Sequence, residues 1–165
     1  MAKDSSFDVV SMVDVMEVDN AFTQTQRELQ QRYDLKDSGA TISFSKAEET
    51  ITIAAPSEFV GNQVIDVLNT KLVRRQVDLK ALKWDKPQPA AGSSVRIVGH
   101  LVQGIDKDLA KKIAKDVRDT KIKVKVSVEG DKLRVSSASK DALQEVIAFL
   151  KDQDYGQPLQ YNNYR

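Results

Sequence analysis

Cationic side chains recur at alternate positions in two neighbouring stretches of the chain, Lys121, Lys123 and Lys125, then Lys132 and Arg134. Apolar residues alternate with them: Ile122, Val124, Val126 and Val128, then Leu133 and Val135. Successive side chains of a strand point to opposite faces, so a core that takes the apolar set leaves the cations together on the open face. Arg96 and His100 join them if Val95, Ile97 and Leu101 point inward. Such a face is an anion platform, because lysine supplies charge and arginine adds a planar fork that matches phosphate. The competing explanation is an ordinary one: antiparallel sheets often carry a solvated polar face, and lysines at sheet edges discourage aggregation.

Three other groups could contact a ligand. Gln103-Gly104-Ile105-Asp106 stands where a strand hands over to a helix, whose first amides are a natural phosphate site. Asp106 argues against that use, since a capping carboxylate would occupy the same amides; a turn with Gly104 at positive φ is the simpler reading. Arg32 and Lys36 flank Tyr33 at the end of a predicted helix, where the cations could reach an anion and Tyr33 could pack on a base, although helical spacing favours a core position for Tyr33. In the tail, Gln160, Asn162 and Asn163 offer amides for base edges and Arg165 offers one guanidinium, unless this is only a solvated terminal strand.

Catalytic chemistry finds little support. The chain has no cysteine, which removes thiolate nucleophiles, disulfides and thiolate metal sites, and His100 is its single histidine. There is no nucleophile beside an evident base, no metal-ligand spacing, no phosphate-loop motif and no dinucleotide fingerprint. A binding protein without catalysis, cofactor or metal is the better reading.

Composition agrees with a folded chain of ordinary type: 165 residues, 41% hydrophobic, 30% charged, formal charge +1. No stretch has the roughly 20 apolar residues of a membrane span, and the first residues lack a signal-peptide core, so a cytoplasmic location is expected. The near-neutral total hides an imbalance. Residues 1–92 hold 11 basic and 14 acidic side chains, net −3, and residues 93–165 hold 14 and 10, net +4.

The elements that must position these groups form one order, given twice. Phe7–Val13 is β-rich, and Asp14 with Glu17 marks the start of a helix over 14–33 whose apolar stripe is Val15, Val18, Phe22, Leu29 and Tyr33. Strands over 41–45 and 50–53 follow around the turn 46–49, then a helix opening at Pro56-Ser57 with Val60, Val64, Val67, Leu68 and Leu72 on one side. The segment 77–82 is a weak closing strand, and 83–94, with two of the four prolines, reads as a linker in which Trp84 is the one cue for a protein-interaction module. The second round has a strand over 95–102, a helix over 106–119, strands over 122–128 and 133–135 joined at Gly130-Asp131, a helix from Ser139, and a last strand within 158–164. This is strand, helix, hairpin, helix, strand. It predicts an α+β chain of two tandem ferredoxin-like (βαββαβ) sandwiches, each an antiparallel sheet with helices on one face, over 1–92 (linker from about 83) and 93–165.

The same topology is used by RNA-recognition motifs, which stack bases on aromatic side chains of their central strands. The corresponding strands here, Thr50-Ile51-Thr52-Ile53 and Lys132-Leu133-Arg134-Val135, have no aromatic residue. Only charge-driven contact with folded RNA stays open by that route.

Several stretches resemble the YajQ family of bacterial nucleotide-binding proteins. They are Ser6-Phe7-Asp8-Val9-Val10-Ser11 with Val13-Asp14 and Glu17 to Ala21, Arg32-Tyr33-Asp34-Leu35-Lys36, Lys71-Leu72 with Arg74-Arg75, Gln103-Gly104-Ile105 leading into Ala110-Lys111-Lys112-Ile113, and Pro158-Leu159-Gln160-Tyr161 with Asn163-Tyr164-Arg165. Tyr33, Leu35, Tyr161 and Tyr164 stand where the family commonly has phenylalanine, and 60–69 is less typical. The resemblance implies exchange of N-terminal strands between the halves, binding of purine nucleotides such as GTP or ATP or of cyclic di-GMP, and tRNA binding for some members. The resulting expectation is a regulatory nucleotide binder. Its phosphates lie on the cations of the second sheet face, Arg96, His100, Lys123, Lys125, Lys132 and Arg134, and in the groove between the halves. Arg32, Lys36 and Arg165 are further candidates, and tail amides of Gln160 and Asn163 read the base. Occupancy would be passed to RNA or to a protein partner such as a transcription factor. The alternative is an RNA-associated protein that uses the basic face on a tRNA or rRNA backbone.

Overall fold

The computed structural model describes Asp4–Arg165, and the chain is α+β, with four α-helices and two antiparallel sheets among the described residues. This is compatible with two ferredoxin-like halves. Contacts among the described residues group Val13–Val102 as one unit and residues 4–12 with Gln103–Arg165 as the other. These spatial units do not follow the chain-order boundary at 92, because strands pair outside their own sequence half.

In the unit Val13–Val102, the elements are α1 (Val15–Gln31, after the first strand β1, Ser5–Val10), β2 (Thr41–Ser45), β3 (Thr50–Ala55), α2 (Glu58–Arg74), β4 (Leu82–Trp84), β5 (Gln88–Pro89) and β6 (Val95–Leu101). Its sheet has the order β2-β3-β6-β4, with β5 paired to β6 beside this path. Asp14 caps α1 by accepting from the amides of Met16 and Glu17 at 3.1 and 3.4 Å, and Ser57 caps α2 through the Val60 amide at 3.2 Å. The helices bury Val18, Ala21, Thr25 and Leu29, and Val64, Val67, Leu68 and Leu72, against Ile51, Ile53 and Ile97 of the sheet. Tyr33 departs from the expected stripe and is 90% exposed. The reason is local: α1 stops at Gln31, Arg32 is extended, and the change of phase sends Leu35 inward instead.

The segment expected to be a linker lies along the sheet. The Asp85 amide donates to the Val98 carbonyl at 2.8 Å, and Gln88 and Pro89 pair with Arg96 and Val95. Trp84 packs against the core of this unit rather than standing free, and its ring fills the space above Gly99.

In the other unit β1 joins α3 (Lys107–Asp119), β7 (Lys125–Glu129), β8 (Lys132–Ser137), α4 (Lys140–Lys151) and β9 (Gln160–Asn162), with strand order β7-β8-β1-β9. Asp106 and Ser139 cap the two helices through the amides of Leu109 at 2.7 Å and Ala142 at 3.2 Å. Phe7 and Val9 of β1 and Leu133 and Val135 of β8 meet Ile113 and Val117 of α3 and Val146 and Leu150 of α4 in one core. No helix among the described residues is long and apolar enough to cross a membrane.

Gly99 tests the packing of the first sheet. A Cβ there would lie 2.8 Å from Cε3 and from Cζ3 of Trp84. Gly99→Ala is therefore expected to move the ring and to cost about 1–3 kcal/mol. The single tryptophan reports it directly, as a shifted emission spectrum in the native state and a lower midpoint in urea.

Candidate functional site

The site builds from the middle of the sheet β7-β8-β1-β9. Alternation sends Phe7 and Val9 into the core, so Asp8 between them faces away from the helices, as do Lys132 and Arg134 around Leu133. Register sets Asp8 opposite Arg134 on one side and Asn162 on the other. The Asp8 carboxylate, with its side chain only 3% exposed, accepts from Lys132 Nζ at 3.0 Å, Arg134 Nε at 3.2 Å and Asn163 Nδ2 at 2.8 Å. Asn163 reaches it from a left-handed conformation, φ 59°, just past β9. Burial acts to raise the carboxyl's pKa, but the hydrogen bonds from Asn163, Lys132 and Arg134 together outweigh it and hold the group below its ordinary value. Arg134 also reaches Glu129 at 3.6 Å.

Beside this network opens a cavity of about 640 Å³, within the range of small-molecule sites. Side chains of Asp8, Lys132, Asp131, Asn162 and Asn163 line it, together with the chain at Val10–Met12 and at Gln103–Gly104. Two tight contacts shape that wall. Gly104, at φ +81°, donates its amide to the Ser11 carbonyl at 2.7 Å, and the Asp131 side chain sits 3.1 Å from where a Cβ of Gly104 would be. Asp106 accepts from the Leu109 amide at the start of α3, as its type suggested, and its carboxylate opposes an anion at that helix end.

The predicted residues divide between the two units. Lys123, Lys125, Lys132, Arg134, Gln160, Asn163 and Arg165 belong to the unit of β1 and β7 to β9, whereas Arg32, Lys36, Arg96 and His100 belong to Val13–Val102. The single basic face expected from the second half is therefore not assembled as drawn: Arg96 and His100 ride on β6, which pairs with β3. His100 Nε2 lies 2.7 Å from Asp85 Oδ2. Arg32 pairs with Asp34 at 2.8 Å, and Lys36 lies over the exposed Tyr33 ring at 5.8 Å.

Within the sheet of β1 the outcome is also mixed. Lys132 and Arg134 do stand on the open face, but each is held by Asp8. Lys125 is exposed on β7 opposite Ser136, while Lys123 precedes that strand and its carbonyl accepts from Ser137 Oγ at 2.8 Å. Gln160 spends its Oε1 on the Met12 amide at 2.8 Å. Arg165 exchanges backbone hydrogen bonds with Ser6 and lines, with Tyr164, Lys140 and Gln144, a separate cavity of about 280 Å³. Asp8 and Asp131 are not among the residues that the sequence pattern singles out. Asp8 had a visible signal, a lone charge inside the apolar run Phe7 to Val10; Asp131 read only as a turn residue. No group of three or more metal-ligating side chains is found among the described residues.

Comparison with known proteins places this geometry in a lineage. A family model described as nucleotide-binding protein YajQ-like matches residues 5–165. The chain belongs to the YajQ family. It is 51% identical to a protein of Desulfitobacterium hafniense, 44% to one of Chloroherpeton thalassium and 46% to one of Alkaliphilus oremlandii, each over 100% of both chains and each named a nucleotide-binding protein. The family assignment agrees with the resemblance carried by Ser6 to Ser11, Gln103 to Ile105 and Pro158 to Arg165, the stretches that meet at Asp8 and along the wall of the larger cavity.

The Asp8 network gives a pH signature. A carboxyl whose folded pKa lies below its unfolded value of about 3.9 adds stability above that value and loses it as pH falls through the lowered folded one. Asp8→Asn removes the acceptor charge and is expected to cost roughly 2–3 kcal/mol at pH 7. Urea titrations should find the wild-type advantage present at pH 7 and shrinking below pH ~4; an advantage that stays constant to pH 2.5 would contradict the role assigned to the carboxylate.

Proposed function

We propose that this chain is a non-catalytic nucleotide-binding protein whose ligand sits in the cavity beside Asp8, and that occupancy is regulatory. One observation carries the reading: a cavity of about 640 Å³ whose lining includes a cation, Lys132, the acidic residue Asp131 and two primary amides, Asn162 and Asn163. A nucleotide needs that mixture, since its phosphates call for a cation and its base edge for both donors and acceptors. Lys132 takes the phosphate side, already positioned by Asp8. Asp131, Asn162 and Asn163 take the base edge. The names of the relatives support the same class of ligand. GTP, ATP and cyclic di-GMP are the ligands to test, and a guanine base has the paired N–H donors that a carboxylate such as Asp131 accepts. On this reading the pairing of β1 with β8 and of β6 with β3 represents exchange of N-terminal strands between two βαββαβ halves.

Contact with a tRNA or rRNA backbone through the sheet face is the weaker reading, because Asp8 and Glu129 together offset Lys132 and Arg134, so the face has one lysine for a small ligand but little net positive charge for an extended strand. Long polyanions reward uncommitted positive charge.

Thermal melts with each nucleotide separate these outcomes, since a ligand that binds only the folded state raises its apparent stability. At least one of GTP, ATP and cyclic di-GMP is expected to raise the midpoint, and Asp131→Asn with Asn162→Ala to weaken that nucleotide about tenfold or more. Affinity should fall only mildly between low and moderate salt. No shift with any of the three, or equal affinity in the double variant, rejects the cavity; a steep salt dependence with RNA alone favours the backbone reading instead.

A further inference from the structure

A cationic hollow lies on the helices of the unit Val13–Val102. Helix α1 carries Gln24, Arg27, Glu28 and Gln31 at spacings of three and four, which places them along one face. The end of α2 adds Lys71 and Arg74, and its C-cap is Arg75. These side chains enclose a hollow of about 330 Å³ in which four cations face one carboxylate.

Ion pairing leaves part of that charge uncommitted. Lys71 Nζ lies 2.9 Å from Glu28, which Arg32 also approaches at 3.7 Å, and Arg75 reaches Glu17 at 3.7 Å. Arg27 and Arg74 are exposed and have no ion pair among the described residues. Cations in a last helical turn complement the helix dipole, and that accounts for Lys71 and Arg74. It does not account for Arg27, since the last turn of α1 has no basic residue. Two unpaired guanidiniums lining one hollow make it locally attractive to an anion.

We propose that this hollow is a phosphate-binding site, separate from the sheet cavity. Arg27 and Arg74 grip phosphate oxygens with paired N–H donors, Lys71 adds charge from the floor, and Gln24 and Gln31 supply amide donors at the rim. The phosphate is that of a free polyphosphate or of an RNA strand, which share this chemistry.

The test is titration of the full chain with inorganic tripolyphosphate, followed by calorimetry and by amide chemical shifts, and separately with a short duplex RNA. Tripolyphosphate is expected to shift amides of 24–31 and 71–75, and Arg27→Gln with Arg74→Gln to lower its affinity about tenfold or more. Arg27→Lys with Arg74→Lys, which keeps the charge but loses the fork, should give a smaller loss. Lys111→Gln with Lys115→Gln on α3 serves as the equal-charge control and should leave binding unchanged. If RNA binds as well, its salt slope should fall by roughly two in the Gln variant, identifying a phosphodiester ligand; tripolyphosphate binding alone identifies a free phosphate. Equal losses in the α3 control, or shifts confined to the sheet cavity, would overturn the proposal. Asp131→Asn acts on the sheet cavity only, so failure at one site does not carry over to the other.

Discussion

Asp8 is buried in the middle of a four-stranded sheet with both carboxylate oxygens turned away from the helices. A buried carboxylate is costly unless paired and hydrogen-bonded, and here Lys132, Arg134 and Asn163 meet that demand from two other elements. Much of the unit follows from satisfying it. The pairing ties β1 to β8, fixes where the chain turns after β9, and orients the lysine that borders the larger cavity. It also limits what the surface can do. Two cations that look free on an alternating strand are spent on an internal anion, so the face behaves as a mixed polar surface rather than as a positive plate.

Charge bookkeeping changes in the same direction once strands are assigned to their sheets. Divided at residue 92 the chain reads −3 and +4, but regrouped by contact the described residues read −1 for Val13–Val102 and +1 for the other unit. The contrast between the halves shrinks because β1 brings Asp8 to the basic group, whereas β6 carries Arg96 away from it. A hollow lined by four cations lies on α1 and α2, within the half that counted as acidic. Local geometry outweighs net charge here, since at physiological salt exposed charges act over only about 8 Å.

Helices and hairpins were legible residue by residue. Asp14, Ser57, Asp106 and Ser139 cap helices as their types suggest, and the apolar stripes of α2, α3 and α4 are buried as spaced except for the half-buried Val60 and Leu109. The exceptions have physical causes. Tyr33 lies past a helix end that no glycine or proline marks, so helical spacing alone extends the stripe two residues too far. Proline and small residues made 83–94 look like a linker, yet its backbone pairs with β6 at an edge, where proline is tolerated. Asp131 resembled any hairpin residue until Gly104 was placed against it.

The sequence by itself determined the α+β class, the order of elements, the inward and outward face of most strands, and the family, because periodicity and capping are local and the resemblance spans the chain. Only the tertiary structure decided which strand pairs with which, and so which charges meet. Pairing partners lie more than 120 residues apart for Asp8 with Lys132 and Arg134. No local pattern encodes that separation, and the choice is made by burying β1 and β6 in the middle of their sheets, where both edges of each strand are hydrogen-bonded.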